Sequence, residues 1–255
     1  MAITRRELLT TIGKAGVPAA VAMTVSPQAL QAESIPVPSA AVGLLYDASI
    51  CIGCKACVAA CAEANNTPPD TRGDKLHQAP SDLNDVTRNV IKLYKPEDGS
   101  AFSYVKRQCM HCLDPACAAG CPFQALYKDP ESGIVRWDEE KCIGCRACNV
   151  ACPYMNRHFV AKGLLMGYGT DGLTPYEAIK FLDFEEGTNI KCTLCAPRVD
   201  QGLEPACVIT CPTDARIFGD VEDPNGKLQR LVKDRKGWTL SPEYNTKPNV
   251  WYLDE

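Results

Sequence analysis

Sixteen cysteines are the residues best placed to do chemistry, and they fall into four groups of four with none left over. The third group sets the pattern. Cys142, Cys145 and Cys148 are each separated by two residues, Cys152 follows after three more, and Pro153 stands directly behind it. This is the spacing of a [4Fe–4S] run: three thiolates on one tight turn hold three corners of a cube, while the fourth lies beyond its reach and serves a neighbouring cube. The first group, Cys51, Cys54, Cys57 and Cys61, repeats the spacing and the Cys-Ile-Gly-Cys opening, with Ala62 in place of the proline. The second, Cys109, Cys112, Cys117 and Cys121-Pro122, has a longer middle loop; the fourth, Cys192, Cys195, Cys207 and Cys211-Pro212, has a longer one still. The chemistry expected of such groups is one-electron transfer.

Two other uses of cysteine fit less well. A disulfide framework also favours an even count, but it has no need of repeated Cys-x-x-Cys triplets followed by proline. Zinc is the stronger rival because paired Cys-x-x-Cys motifs are a common dress for it. A tetrahedral zinc site leaves the middle cysteine of a triplet without a role.

Short elements must position these loops. Gly43–Asp47 reads as a strand entering the first motif, and 65–89 as a polar, turn-rich excursion over the surface. Strands are expected at Val90–Tyr94 and Phe102–Arg107, and a hairpin at Ala125–Lys128 and Ile134–Trp137 around Asp129-Pro130-Glu131-Ser132-Gly133. Tyr176–Phe184 reads as a short helix, Arg216–Asp220 as a strand, Leu228–Lys233 as amphipathic turns and Val250–Leu253 as a closing strand. Gly53 and Gly144 allow close backbone approach and aim N–H groups at sulfur. Lys55, Arg146 and Lys191 beside the cysteines offer either an upward bias on cluster potentials or solvated surface charge, and read as the latter; His111 reads as a packing residue, and Trp137, Trp238 and Trp251 as core or interface residues.

A hairpin alone separates Cys121 from Cys142, so motifs two and three are expected to form one compact unit in which each lends its last cysteine to the other. Cys109, Cys112, Cys117 and Cys152 then hold one cluster, and Cys121, Cys142, Cys145 and Cys148 the next. Motifs one and four pair across that inserted unit, giving Cys51, Cys54, Cys57 and Cys211, then Cys61, Cys192, Cys195 and Cys207. Pairing one with two and three with four stays open on spacing alone, although the long 62–108 and 153–191 segments would then have to act as hairpins.

The rest of the chain bounds the setting. A net charge of −4 argues against nucleic acid as a partner. With only 7% aromatic residues, the interior must be held partly by something other than a large hydrophobic core. Thr4-Arg5-Arg6-Glu7-Leu8-Leu9 precedes an apolar stretch and a Leu30-Gln31-Ala32 cleavage site, which reads as a twin-arginine export signal over 1–32, with Leu8 and Thr10 departing from the usual pattern. A periplasmic location is expected. No later stretch reaches the ~18 apolar residues of a transmembrane helix, so membrane association would come through a partner.

From about residue 43 to 255 the chain resembles the four-cluster iron–sulfur subunits of molybdopterin oxidoreductases of the DMSO-reductase and formate-dehydrogenase type, and similar subunits of nickel–iron hydrogenase and nitrite-reduction systems. The four motifs in order carry the likeness, with Cys109-Met110-His111-Cys112, Lys128–Val135 and Ala215–Asp220. The resemblance implies an α+β fold of two interleaved bacterial-type two-cluster ferredoxin units with long loops, motif one pairing with four and two with three. Four [4Fe–4S] clusters are implied, since every cysteine position is kept. The expected divisions are a linker at 33–42, a split first unit at 43–100 plus 189–220, an inserted unit at 101–160, an insertion loop at 161–188 and a C-terminal extension at 221–255. The implied partners are a catalytic molybdopterin or nickel–iron subunit and a membrane quinone or cytochrome subunit, with the chain itself an electron carrier rather than an enzyme. The alternative is a free-standing periplasmic polyferredoxin; Leu164, Leu165, Met166 and Tyr168 in the longer-than-usual 153–191 insertion favour docking.

Overall fold

The first described strand, β1 (Val42–Asp47), is paired on both sides: parallel to β10 (Val250–Leu253) and antiparallel to β8 (Arg216–Asp220). A fourth strand, β9 (Trp238–Thr239), pairs antiparallel to β10 and completes the order β8-β1-β10-β9. The computed structural model describes residues 41–70, 79–99, 101–163, 172–182, 184 and 186–254. The proposed export signal, most of the linker and Leu164, Leu165, Met166 and Tyr168 lie outside the described residues.

Period-two alternation divides the central sheet between two interiors. Leu45, Ile217 and Leu253 face helix α7 (Lys227–Asp234), which presents Leu228, Leu231 and Val232 at helical spacing. On the other face Leu44, Tyr46, Val250 and Tyr252 join Cys57, Cys112 and Cys207 in the largest buried cluster. Strand β1 is therefore apolar at nearly every position, as a strand covered on both faces must be.

Three antiparallel pairs lie outside this sheet. Strands β2 (Asn89–Tyr94) and β3 (Ser103–Gln108) form the longest. Next come β4 (Leu126–Lys128) with β5 (Val135–Trp137), the hairpin expected around Gly133. Last are the two-residue strands β6 (His158–Phe159) and β7 (Asn189–Ile190), which close the segment between the third and fourth motifs.

Five short helices follow the cysteine loops: α1 (Ala56–Ala64), α2 (Ala116–Ala119), α3 (Ala147–Ala151), α5 (Ala196–Val199) and α6 (Ala206–Ile209). Helix α1 packs against α6, and α2 against α3. The second contact is close enough that a Cβ on Gly120 would come within 2.9 Å of the Ala151 Cβ. Helix α4 (Pro175–Lys180) is shorter than the expected 176–184. It opens with a capping box in which Thr174 Oγ accepts from Glu177 N and the Glu177 carboxylate accepts from Thr174 N, with Pro175 at the first helical position.

Among its described residues, the segment after α1 is in part folded inward instead of running wholly over the surface. Thr67, Leu83, Thr87 and Asn89 are buried. The reason is local: Asn89 Nδ2 donates to Cys57 O at 2.9 Å, so polar side chains of this segment complete hydrogen bonds over α1 instead of facing water.

Candidate metal centres

Four of these helices begin in the same way, with an alanine followed by the third cysteine of a motif: Ala56-Cys57, Ala116-Cys117, Ala147-Cys148 and Ala206-Cys207. In motifs one and three the chain turns into the helix through a left-handed residue, Lys55 (φ 59°) or Arg146 (φ 64°). In motifs two and four the turn is made by Pro115 or Pro205, within Leu113-Asp114-Pro115-Ala116-Cys117 and Leu203-Glu204-Pro205-Ala206-Cys207. That second repeat is visible in the sequence and is missed when the cysteines alone are counted.

All sixteen thiols are free of disulfides, and they gather in fours. Cys51, Cys54, Cys57 and Cys211 line one cavity, with Ile91, Pro212 and Arg216. Cys121, Cys142, Cys145 and Cys148 line another, with Phe123, Leu126 and Arg157. Cys61 is buried within electrostatic reach of Cys192, Cys195 and Cys207, and Cys112 likewise beside Cys109, Cys117 and Cys152. Among the described residues no three Cys, His, Asp or Glu side chains converge on a point where one metal ion would sit. Two of the four sets line cavities instead, as a group several atoms across requires.

Backbone geometry serves the same end. Gly53 has φ +68° and its N–H donates to Cys51 Sγ at 3.5 Å; a Cβ there would meet the Tyr104 ring at 2.3 Å. Leu194 N donates to Cys192 Sγ at 3.4 Å. N–H groups aimed at sulfur stabilise thiolate and cluster charge.

Burial disfavours the charged form of eight of the thiols. It pushes Cys112, Cys117 and Cys192 up to about 12 and raises Cys57, Cys61, Cys148, Cys152 and Cys195 as well. Cys207 is the exception. Burial opposes its ionisation, yet the charges of Lys106 and Arg216 outweigh it and hold the thiol below its ordinary range.

Spacing and motif do not single out those cations, and the expectation that Lys191 is solvated is wrong. It is 4% exposed, with Nζ donating to Val135 O and Cys192 O. Burial is tolerated because backbone carbonyls of β5 and of the next residue accept from its ammonium. Lys106, Arg157 and Arg216 are equally buried. Nη1 of Arg216 and Nε and Nη1 of Arg157 find no hydrogen-bond acceptor. Buried positive charge with unmatched N–H groups beside thiols is intolerable around neutral contents and fits an anionic group held by thiolates. His111, by contrast, is used up structurally: Nδ1 accepts from Val135 N and Nε2 lies 3.0 Å from Cys192 O. Burial and the nearby Lys191 and Lys128 charges keep its ring neutral. Arg146 is exposed and stacks over Phe159 at 3.9 Å.

The sequence matches the 4Fe-4S dicluster domain over residues 100–166 and 169–221. It is 32% identical over 222 residues to a subunit of the sulfite dehydrogenase of Allochromatium vinosum, covering 83% of this chain and 82% of that one. The chain belongs to the 4Fe-4S dicluster iron–sulfur subunits of oxidoreductases. The arsenate respiratory reductase iron-sulfur subunit ArrB of Shewanella sp. is also 32% identical, over 238 residues, covering 83% of this chain and 95% of the relative. Hydrogenase-2 operon protein HybA of Escherichia coli O157:H7 is 36% identical over 217 residues and 81% of this chain. The chain spans only 60% of the length of HybA. As a member of this dicluster family, with ferredoxin-type domains in an α+β fold and a full set of sixteen cysteines, the chain carries four [4Fe–4S] clusters. No helix among the described residues is long and apolar enough to cross a membrane.

Proposed function

We propose that this chain is an electron relay inside an oxidoreductase complex, passing electrons between a catalytic molybdopterin or nickel–iron subunit and a membrane quinone or cytochrome partner. When bound, each [4Fe–4S] group supplies a one-electron couple; the chain's part is to hold four such groups in file and to present the ends of the file to partners. The ligand sets are Cys51, Cys54, Cys57 and Cys211; Cys61, Cys192, Cys195 and Cys207; Cys109, Cys112, Cys117 and Cys152; and Cys121, Cys142, Cys145 and Cys148. They belong to two interleaved ferredoxin units, 43–100 plus 189–220 and 101–160. The packing of α1 on α6 and of α2 on α3 supports that pairing.

One observation carries the reading: the thiol cages adjoin in a single order. Cys57 and Cys61 share α1 and so link the first cage to the second. Cys192 of the second lies within electrostatic reach of Cys109 of the third. Cys148, on α3, and Cys152, its C-cap, link the third to the fourth. The exposed thiols lie in the end cages, Cys54 in the first and Cys145 in the fourth. Each stands near an exposed isoleucine, Ile52 or Ile143, which supports docking at both ends.

We place the relay in the periplasm, exported through the twin-arginine signal, with membrane association through its partner. Anaerobic affinity purification from gently solubilised membranes tests this, with partners identified by mass spectrometry. Co-purification of a molybdopterin or nickel–iron subunit is the expected result. Iron and sulfide in a stable monomer without partners would replace the relay with a free-standing shuttle.

A further inference from the structure

Four buried cations stand where neighbouring cages meet. Lys106 is 1% exposed; its Nζ lies 4.0 Å from Cys207 Sγ and also faces Cys57 and Cys192. Arg216 donates from Nη2 to Cys57 Sγ at 2.6 Å and faces Cys207 and Cys211. Both therefore span the first and second cages. Lys191 faces Cys192 of the second cage, and Cys109 and Cys117 of the third. Arg157 faces Cys117 and Cys152 of the third cage and Cys148 of the fourth. None of the four forms an ion pair with a carboxylate among the described residues. Their partners are backbone carbonyls and thiols.

Placement at the junctions has an effect that placement on the outside would not. An extra electron in one cage repels an extra electron in the next, and little water separates them to screen the repulsion. A cation outside the file would favour one cage alone and bias the step between them. A cation at the junction attracts an electron in either cage and offsets the repulsion between the two. We propose that Arg216 with Lys106, then Lys191, then Arg157 are charge bridges that raise and level the reduction potentials of the groups on either side of each junction. An electron leaves one cage and enters the next, and no bond forms or breaks. These are positioning residues for electron transfer, and the inference rests on the ligand sets proposed above.

The test is a redox titration of the holoprotein followed by electron paramagnetic resonance, with iron and sulfide measured in each sample. In Arg216→Gln and Lys106→Gln, two of the four reduction steps should fall by at least tenfold in equilibrium constant, about 59 mV for a one-electron couple. The other two should stay in place. Arg216→Lys and Lys106→Arg, which keep the charge, should restore the original values. Arg157→Gln should instead move the pair of steps that includes the cage holding Cys145, identified by its absence in Cys145→Ser. Unmoved potentials in both first-junction Gln variants, or an equal shift of all four steps, would overturn the proposal. So would loss of iron from both Gln variants, since the cations would then serve assembly and not potential. Cys57→Ser separates this inference from the reading beneath it. If that variant keeps four unaltered signals, the ligand sets are wrong. If it alters a signal while Arg216→Gln alters none, the ligand sets stand and the charge bridges fall.

Discussion

Arg216 donates to Cys57 Sγ at 2.6 Å across 159 residues of sequence. The contact ties the strand after the fourth motif to the helix after the first, and it places a permanent charge in an interior that offers it no carboxylate. Removing the metal should therefore do more than empty a site. Iron chelation leaves Arg216 and its neighbours as uncompensated buried charge, for which the loss of a buried pair suggests about 3–5 kcal/mol. Thermal unfolding followed by circular dichroism should show a large drop in Tm after chelation. An unchanged Tm would mean that these charges are already satisfied without the metal.

Cys145 is exposed, and in the relay proposed above it stands in the last cage of the file. Cys145→Ser should alter one cluster signal and interrupt electron delivery to one partner, leaving three signals intact. Four undisturbed signals with normal transfer would remove Cys145 from the ligand set.

Gly144 has φ +72°, and a Cβ there would lie 2.2 Å from the Gly187 carbonyl oxygen. Gly163 has the same φ with nothing within 4 Å. Gly163→Ala should cost about 1 kcal/mol from backbone strain alone. Gly144→Ala should cost more and lower the iron content, because the loop that holds Cys142 and Cys145 must shift. Equal urea midpoints for the two variants would contradict this.

Leu228 is 1% exposed and packs against Leu45, Ile217 and Leu253, on the sheet face turned away from the thiols. Leu228→Ala should destabilise by about 2–5 kcal/mol with full iron content and unchanged potentials. Urea unfolding and iron analysis together check both halves of that statement.

Arg136 joins Asp129 of the β4–β5 hairpin to Asp200, directly after α5, with Nη2–Oδ1 at 2.6 Å to Asp200. Both ends of the bridge to Asp200 meet solvent. Asp200→Asn, which leaves the pair with Asp129 in place, should therefore cost only about 0.2–1 kcal/mol, less in high salt. A loss of several kcal/mol in urea unfolding would show that the bridge is more than a surface pair.

The longer strands are legible in the sequence because they are short apolar runs beside turn residues: Val42–Asp47, the hairpin at 126–137 and Val250–Leu253 all follow that rule, whereas the two-residue β6, β7 and β9 are too short to show any pattern. The cysteine positions are legible from spacing alone. The helices behind them are not, since four or five residues, as in α2 or α3, give hydrophobic periodicity too little length to register. Lys106 and Lys191 are hidden for a different reason. A lysine in or just beyond a short strand reads as surface, and only the chain folded over it, with acceptors such as Val135 O for Lys191, makes burial tolerable. The same holds for Asn89, whose polar side chain points to solvent on sequence grounds, while its bond to Cys57 O places it inside.

Strand β1 pairs with β10 through Leu44↔Val250 and Tyr46↔Tyr252, so the first described strand waits for the last. During synthesis the strand before Cys51 must stay without its partners until β8, and then β10, have left the ribosome. The β4–β5 hairpin, by contrast, can close as soon as it emerges. Biogenesis thus acquires a timetable: the second and third motifs, which flank the hairpin, can take shape early, and the loop of the first only when β8 and β10 arrive to clasp β1.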